Sequence, residues 1–303
     1  VCPIGMPAAA IRCADPALVL DAQAVRGMLP RRKPHSHKGT YGKVLLIAGS
    51  LQMSGAPRLC AQAILRAGAG LLTCMIPEGI HAIVASAVPE AMFRPWPMDD
   101  NGQFALDALP DETWLRSFDL IVVGNGMGRG PSTRAIVQRV LDSGIPCILD
   151  GDALFETGKH ALLPAQREQT VIVRPHLREL EYLSSVPLAQ ISADPRQSAA
   201  MLASRYPYLC VVAKDDLTWI MQGERQSVNI IGNDGLAKGG SGDVLCGIIA
   251  GLYAQGRQAY ESACAGVYLH ALSACMLAEE CDTMSILPHE LSECLGKACA
   301  KLR

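Results

Sequence analysis

Short apolar runs alternate with longer segments of helical periodicity along most of the chain. The apolar runs are nearly continuous, which is typical of strands buried on both faces of a parallel sheet. They are Val44–Ala48, Leu71–Ile76, Leu120–Val123, Cys147–Leu149, Val171–Val173 and Leu209–Ala213. Helices are predicted between them at Ala56–Ala67, Ser132–Ser143, Leu177–Ser184 and Asp194–Arg205. This alternation predicts right-handed βαβ units, and therefore an α/β fold with three α/β/α layers around a mostly parallel central sheet.

The remainder of the chain follows other patterns. Thr218–Met221 and Ser227–Ile231 flank a turn-like QGERQ and predict an antiparallel hairpin at a sheet edge. Val244–Arg303 is predicted to be mostly helical, and Pro89–Pro110 is predicted to be a long surface excursion. Because no repeat or long linker interrupts the pattern, we expect one domain over residues 1–303, in which residues 1–30 form an N-terminal extension.

Composition narrows the class of protein. Half of the residues are hydrophobic and the formal net charge is −2, which excludes a mainly disordered chain and disfavours a nucleic-acid binder. The first residues show no basic segment followed by an apolar run, so we expect no secretion signal. The 12 cysteines form no Cys-x-x-Cys pair, which predicts a reduced, cytoplasmic protein without a zinc site or disulfide framework. The uncharged Ser262–Ala278 is shorter than the about 20 apolar residues of a spanning helix, so it predicts a buried helix and no membrane partner.

The densest chemical signal is GNDGLAKGGSGDVLCGIIAGL, in which Gly239, Gly240, Ser241 and Gly242 precede Asp243 and an apolar helix. Backbone N–H groups at such a helix start are unpaired, and together with the helix dipole they favour an anion. A carboxylate at Asp243 would repel a phosphate, but it suits a base that takes a proton from a hydroxyl attacking a phosphoryl group. Spacing alone leaves a second interpretation open, in which Asp243 is an ordinary capping or first-turn acid of the helix.

Three further clusters follow predicted strands directly. They are the glycine-rich Gly124–Gly128, the RPHLREL segment with His176, and Lys214-Asp215-Asp216. The carboxyl ends of parallel strands are where open α/β sheets bind ligands. The three clusters therefore predict one shared cleft, although a plain turn and a structural histidine stay open for the first two.

The segments HKGTYGKVLLIAGS, SGAP, GNGMG, ILDGDAL, RPHLREL and NDGLAKGGSGDVLCGIIAGL occur in the order and spacing of the ADP/ATP-dependent NAD(P)H-hydrate dehydratases. The chain resembles this family from about Arg31 to its C-terminus, and GGSGDVL is the most specific piece. The resemblance implies a ribokinase-like fold and a role in the repair of damaged NADH or NADPH. The sequence contains no counterpart of the epimerase domain that usually accompanies this family. We therefore expect a stand-alone dehydratase that works with a separate NAD(P)H-hydrate epimerase. We also expect a homo-oligomer.

The resemblance implies a reaction and its residues. The C6 hydroxyl of the hydrated ring is phosphorylated by ADP or ATP with Mg²⁺, and phosphate is then eliminated. Asp243 is the implied base, and the amides of Gly240, Ser241 and Gly242 are the implied anion site. By motif position, two sets of residues follow. The hydrate should contact Ala56, Gly126, His176 and Asp243, and the nucleotide should contact Lys214, Asp215, Asp216, Leu217, Thr218 and Gly242. We expect His176 to be partly exposed and within contact range of Gly126.

Four positions depart from the family pattern. Asn125 stands where Pro is common, Arg178 and Asp215 where Gly is common, and Lys238 where a small or hydroxyl residue is usual. We predict that Lys238 points at the phosphoryl site and helps to hold a nucleotide phosphate, against the alternative of a solvated loop lysine. Two other functions stay open: a kinase of the same fold acting on a small alcohol such as a vitamin precursor, and a non-catalytic nucleotide-binding protein.

Overall fold

A computed structural model describes residues 17–106 and 109–303. Within those residues ten strands belong to one sheet. They are β1 (Leu18–Val19), β2 (Lys43–Ile47), β3 (Leu71–Pro77), β4 (Met92–Trp96), β5 (Leu120–Val123), β6 (Cys147–Leu149), β7 (Val171–Val173), β8 (Leu209–Ala213), β9 (Thr218–Gln222) and β10 (Arg225–Asn229). Residues 1–16 of the predicted extension lie outside the described residues.

Helices connect most of these strands and form much of the last quarter of the chain. They are α1 (Ala22–Met28), α2 (Gly55–Ala67), α3 (His81–Ala87), α4 (Glu112–Leu115), α5 (Pro131–Asp142), α6 (Asp152–Lys159), α7 (Leu177–Ser184), α8 (Leu188–Ala193), α9 (Pro195–Arg205), α10 (Ser241–Tyr253), α11 (Ala259–Leu277) and α12 (Pro288–Leu302). Short 3₁₀ turns occur at Lys38–Tyr41, Glu78–Ile80, Asp234–Leu236 and Thr283–Ser285. The predicted helices are found within a few residues of their expected ends.

The strand order is β1-β10-β9-β8-β7-β6-β5-β2-β3-β4, and every neighbouring pair is parallel except the two that involve β9. The predicted hairpin of β9 and β10 is therefore present. Its predicted place at the sheet edge is wrong, because β1 pairs with the outer side of β10.

The opposite edge differs from prediction as well. The Pro89–Pro110 segment contains β4, which pairs in parallel with β3 through Thr73 to Pro77. Its sequence, MFRPW, has no apolar alternation, and Pro95 cannot donate a ladder hydrogen bond. Proline is tolerated on an edge strand, where one side of the backbone has no partner in the sheet. The proline-containing segment that predicted a surface excursion thus includes an exposed edge strand.

Successive side chains of each central strand pack alternately into two hydrophobic cores, one on each face of the sheet. Val44 and Leu46 face one core with α2, α10, α11 and α12, whereas Leu45 and Ile47 face another with α5, α6, α7 and α9. A sheet covered on both faces explains why these strands read as continuous apolar runs. The three-layer prediction is confirmed.

Glycines bring α10 unusually close to α2. A Cβ added at Gly247 would lie 2.3 Å from the Cys60 carbonyl oxygen, and one at Gly251 would lie 2.4 Å from that of Ile64. Neither position can hold a side chain, because such a contact is shorter than real Cβ atoms make. This close packing fixes the N-terminal end of α10 above the strand ends.

The uncharged C-terminal stretch forms α11, most of which is buried against the first core. The prediction of a buried helix there is confirmed. None of the helices in the described part of the chain combines the length and apolar character needed to cross a membrane.

Candidate active site

Four neighbouring parallel strands end at the same edge of the sheet, and each is followed by a polar side chain. In sheet order these are Lys214 after β8, Arg174 after β7, Asp150 after β6 and Asn125 just beyond β5. Arg174, Asp150 and Asn125 are buried, at 0%, 4% and 1% exposure. Arg174 and Asp150 are buried and Lys214 is partly buried, so these charges require close pairing, because an isolated buried charge is strongly unfavourable.

Asp243 completes the row from above, in the first turn of α10. Its Oδ1 accepts a 2.7 Å hydrogen bond from the Asn125 amide nitrogen. The N-cap of α10 is Gly240, and no side chain caps this helix. Asp243 is therefore a first-turn acid that does not cap the helix, and its carboxylate faces the strand ends. Burial raises the pKa of Asp243 from 3.8 to about 6, against opposing hydrogen bonding from Asn125.

Asp150 is the hub of the row. Its Oδ2 accepts from Arg174 at 2.7 Å and from the Asn125 amide at 3.1 Å, and its Oδ1 lies 3.6 Å from the Lys214 ammonium. Burial is the largest influence on Arg174 and acts against its charge, but the Asp150 carboxylate together with Cys246 and Cys60 outweighs burial and raises the pKa of Arg174. The guanidinium also donates to the Gly242 carbonyl oxygen at 2.8 Å, which links the row to α10.

A second carboxyl group stands beside Lys214. Glu179 Oε2 lies 4.0 Å from the ammonium and accepts from the backbone N–H of His176 at 2.9 Å. Burial raises the pKa of Glu179 from 4.5 to about 7. The His176 ring caps α7 by accepting from the N–H groups of Arg178 and Glu179 at 3.1 and 3.2 Å. Burial and nearby Lys214 lower the pKa of His176, so the ring is neutral near pH 7.

The glycine loop before α10 is a tight turn. Gly240 has φ +98°, and the Ser241 N–H closes the turn on the Lys238 carbonyl oxygen at 3.1 Å. That bond uses the Ser241 amide, so the amides of Gly240 and Gly242 are better candidates for an anion. Lys214 brings positive charge to the same place, because its ammonium lies 4.0 Å from where a Gly242 Cβ would be.

The Ser241 hydroxyl is held from below by His270, whose Nε2 lies 3.2 Å away. His270 is 6% exposed, and burial together with Arg174 lowers its pKa to about 3. The ring is therefore neutral at physiological pH and adds no charge beneath the glycine loop.

The Lys238 side chain lies on a neighbouring loop, not at the predicted phosphate site. Its ammonium donates to the carbonyl oxygens of Met284 and Ile286 at 2.6 and 2.7 Å. These bonds hold the side chain on the Thr283–Ser285 turn, so the prediction that it points at the phosphoryl site is wrong. The alternative of a solvated loop lysine holds only in part, since Lys238 is partly exposed but its ammonium links two loops.

A groove of about 550 Å³ opens on one side of the glycine loop. Asp215, Asp216 and Thr218 line it together with residues from the loop after β10 and from α10 and α11. These further residues are Asn229, Ile230, Ile231, Gly232, Asn233, Asp234, Leu236, Ala237, Leu245, Val267, His270 and Ala271. Three of the predicted nucleotide residues thus share one groove. Leu217, between them, is 41% exposed.

Two of the predicted substrate residues meet on the other side of the row. Gly126 has φ +65°, and a Cβ added there would lie 2.9 Å from the Ala56 Cβ and 3.0 Å from the Met53 Cβ. A glycine is required for this close approach of the β5 loop to α2. The His176 side chain is 54% exposed, as expected, and its contact with Gly126 stays a prediction.

Asn125, Asp150, Arg174 and Glu179 were not assigned roles from the sequence, although each lies in a segment that drew attention. The signal was available for Asp150 and Arg174, because both are polar residues placed immediately after buried apolar strands. That the four contact one another follows from strand order, which the sequence does not give.

A family model described as NAD(P)H-hydrate dehydratase matches residues 44–297. Among curated proteins, the chain is 35% identical over 256 residues to the bifunctional NAD(P)H-hydrate repair enzyme of Moorella thermoacetica. That match covers 83% of the chain and 48% of the relative, so the chain spans about half of that protein's length. It is also 32% identical over 273 residues to the ADP-dependent (S)-NAD(P)H-hydrate dehydratase of Bacillus subtilis, covering 90% and 94% of the two chains.

The fold resembles a solved structure as well. A crystal structure of the Bacillus subtilis ADP/ATP-dependent NAD(P)H-hydrate dehydratase, co-crystallised with ATP and Mg²⁺, superimposes with a TM-score of 0.84 and 31% identity. The match covers 95% of this chain and 99% of that one. The family resemblance read from the motifs and the ribokinase-like fold it implied are confirmed.

Proposed function

The chain belongs to the NAD(P)H-hydrate dehydratase family, and we propose that it converts hydrated NADH or NADPH back to the dihydronicotinamide with an adenine nucleotide as phosphoryl donor. The observation that carries the proposal is the position of Asp243. A carboxylate sits at the start of a helix, beside a glycine loop that favours an anion, and faces a row that contains the buried Arg174 and the partly buried Lys214. The proposed base, the proposed anion site and positive charge thus lie close together.

The chemistry follows from those three parts. Asp243 takes the proton of the ring's C6 hydroxyl as its oxygen attacks the terminal phosphoryl group of the nucleotide. The Gly240 and Gly242 amides, with Lys214, stabilise the charge on the transferred group. The phosphate ester then leaves C6 as inorganic phosphate, pushed by the lone pair of the ring nitrogen. Loss of a proton from the ring carbon next to C6 restores the double bond, so the hydrate has lost water and the nucleotide one phosphoryl group.

The groove beside the glycine loop is proposed as the nucleotide site, with Asp215, Asp216, Leu217 and Thr218 at one wall. Lys214 directly precedes Asp215 in the chain and its ammonium lies close to Gly242, so we propose that these two residues contact the phosphates. The hydrate would then occupy the side of Ala56, Gly126 and His176. This arrangement brings the C6 hydroxyl and the terminal phosphoryl group together at Asp243.

Magnesium is proposed to accompany the nucleotide. The row and its neighbours hold three carboxyl groups, Asp150, Glu179 and Asp243, against the two cations Arg174 and Lys214. A polyphosphate brought to this site adds further negative charge, so a divalent cation fits the charge balance. In the described residues no cluster of three His, Cys, Asp or Glu side chains forms a metal cage. Phosphate oxygens and water are accordingly the proposed Mg²⁺ ligands, as is usual for this ion. A separate epimerase and a homo-oligomeric state remain predictions.

The decisive experiment incubates the protein with hydrated NADH or NADPH, Mg²⁺ and either ADP or ATP. We expect dihydronicotinamide absorbance to recover with one phosphate released per turnover and no stable phosphorylated substrate. A reaction without nucleotide is the control. Absorbance that returns without nucleotide consumption would contradict the mechanism. Accumulation of a stable phosphate ester would instead favour a kinase.

A further inference from the structure

The side-chain amide of Asn125 connects the two buried carboxylates of the site. Its Nδ2 donates to Asp243 Oδ1 at 2.7 Å and to Asp150 Oδ2 at 3.1 Å. An amide nitrogen carries two hydrogens and an ionised carboxylate only accepts, so each carboxylate receives one hydrogen. The same rule fixes which end of the amide faces them. Asn125 Oδ1 accepts from the Cys246 thiol at 3.7 Å, which leaves both polar atoms of the side chain engaged.

The two carboxylates depend on Asn125 to different degrees. Asp150 has two cationic partners besides the amide, Arg174 at 2.7 Å and Lys214 at 3.6 Å. Within residues 17–106 and 109–303, the Asn125 amide is the one side-chain donor that hydrogen bonds to Asp243. A carboxylate with a single donor owes both its direction and much of its charged state to that donor.

The backbone of Asn125 is also fixed, which makes the amide a rigid support. Its carbonyl oxygen accepts from the Gly49 N–H at 2.8 Å, so the loop after β5 is tied to the end of β2. The side chain is 1% exposed and packs beneath α10. Neither the loop nor the amide is free to follow Asp243 if that carboxylate moves.

We propose that Asn125 is a positioning residue for the reaction, whose amide aims the Asp243 carboxylate at the substrate hydroxyl and stabilises it in the ionised form that can act as a base. This inference rests on the proposed function of Asp243. Asn125 itself transfers no proton and is not required to contact the substrate.

The electrostatics of the site support this role. Burial and the nearby Asp150 carboxylate raise the pKa of Asp243, whereas Asn125, Arg174 and Lys214 lower it, and the net result is a pKa of about 6. The thiols of Cys60 and Cys246, on α2 and α10, pack against the same group of side chains. A hydrogen bond to a carboxylate favours its charged form, so removal of the amide must raise the pKa of Asp243.

The test compares pH profiles of kcat/KM for the wild type and Asn125→Ala. The acid limb should move to higher pH by about one to two units, which is the range for one hydrogen bond to a charged group. Activity at pH 5 should therefore fall roughly eight- to fiftyfold more than activity at pH 8. Gln255→Ala is the matched control, because Gln255 also donates from one amide nitrogen to two oxygens, at the far end of α10. It should leave the profile unchanged.

A measurement without turnover separates this inference from the proposed function. The carboxyl carbon of Asp243 is followed by NMR against pH in the wild type and in Asn125→Ala, and its pKa should be higher in the variant. Asn125→Ser, which retains a smaller polar group but lacks the reach of the amide, replaces the alanine variant if that protein does not fold. An unchanged Asp243 pKa, or an equal loss of activity at all pH values with a lowered melting temperature, would reduce Asn125 to a structural residue. An inactive wild type with the expected NMR shift would overturn the proposed function alone.

Discussion

The Asp243 carboxylate faces the strand ends rather than its own helix, and this position affects both its charged state and its chemistry. Asp243 stands near Asp150 in a mostly buried site, and burial raises its pKa from 3.8 to about 6. A general base works best when its pKa lies close to the operating pH, so this shift suits proton abstraction near neutrality. The same shift means that the folded protein tolerates the ionised carboxylate less well than water does.

Replacing Asp243 by Asn tests both consequences at once. Turnover should fall by roughly 10²–10⁴, because the base is removed while the shape is kept. The wild type should lose activity as the pH falls below about 6, since protonation of the raised Asp243 pKa removes the base. Steady-state kinetics across pH gives both results. The melting temperature of Asp243→Asn should hold or rise, because a buried charge is lost and an acceptor for Asn125 remains. Near wild-type turnover in a correctly folded variant would exclude Asp243 from the mechanism.

The place of a site residue could be predicted from the sequence where the groups it works with are its neighbours in the chain. Asp243 follows its glycines directly, so its place at the start of a helix beside a glycine loop could be predicted from the sequence. Asn125 and Arg174 could not be assigned in this way, because their partners are distant in sequence: Asn125 reaches Asp243 over 118 positions and Arg174 reaches Gly242 over 68. Such contacts depend on which strands are neighbours, and local pattern does not contain that order.

At the scale of elements, strands and helices with strong periodicity were predictable and edges were not. The buried strands were found because both of their faces meet apolar cores. β4 was missed because an edge strand needs no such pattern, and β1 was missed because it has only two residues. The hairpin of β9 and β10 was recognised from its turn, but its distance from the sheet edge depends on β1.

Lys238 shows how a loop can redirect a residue that sequence assigns to a site. Its ammonium bridges from the glycine loop to the carbonyl oxygens of Met284 and Ile286. Lys238→Ala removes both bonds, and we expect a loss of about 1–3 kcal/mol in the free energy of unfolding, the range for two hydrogen bonds from a partly exposed charged group. Denaturant titration measures the loss.

The kinetic effect of Lys238→Ala should be indirect. Nucleotide affinity should change less than stability does, because the ammonium is bound to the carbonyl oxygens of Met284 and Ile286, which do not line the groove. Lys297→Ala is a suitable control, since Lys297 pairs with Glu280 at 3.7 Å on the surface and exposed pairs contribute little. A large loss of nucleotide affinity in Lys238→Ala with unchanged stability would restore the original assignment of this residue to the phosphoryl site.

For the whole molecule, the cleft is assembled from parts that only the complete fold brings together. The groove takes Asp215, Asp216 and Thr218 from the β8–β9 connection, and Val267 and His270 from α11. The row takes its side chains from four strand ends, while α10 supplies Asp243 and depends on α2 for its position. A ligand that fills the groove therefore connects elements that are distant in sequence, and it binds the folded state alone.

Binding of nucleotide should accordingly stabilise the whole protein. At a free concentration of 100 times Kd the gain is about 2.7 kcal/mol, which corresponds to an increase of several degrees in the melting temperature of a chain of this size. Differential scanning fluorimetry with ADP or ATP and Mg²⁺ should show this increase growing with the logarithm of concentration. Magnesium alone is the ligand control, and Gln255→Ala, whose amide lies far from the groove, should show the same increment as the wild type. If neither nucleotide raises the melting temperature at millimolar concentration, the groove is not a nucleotide site, and the phosphoryl donor must be sought elsewhere on this sheet edge.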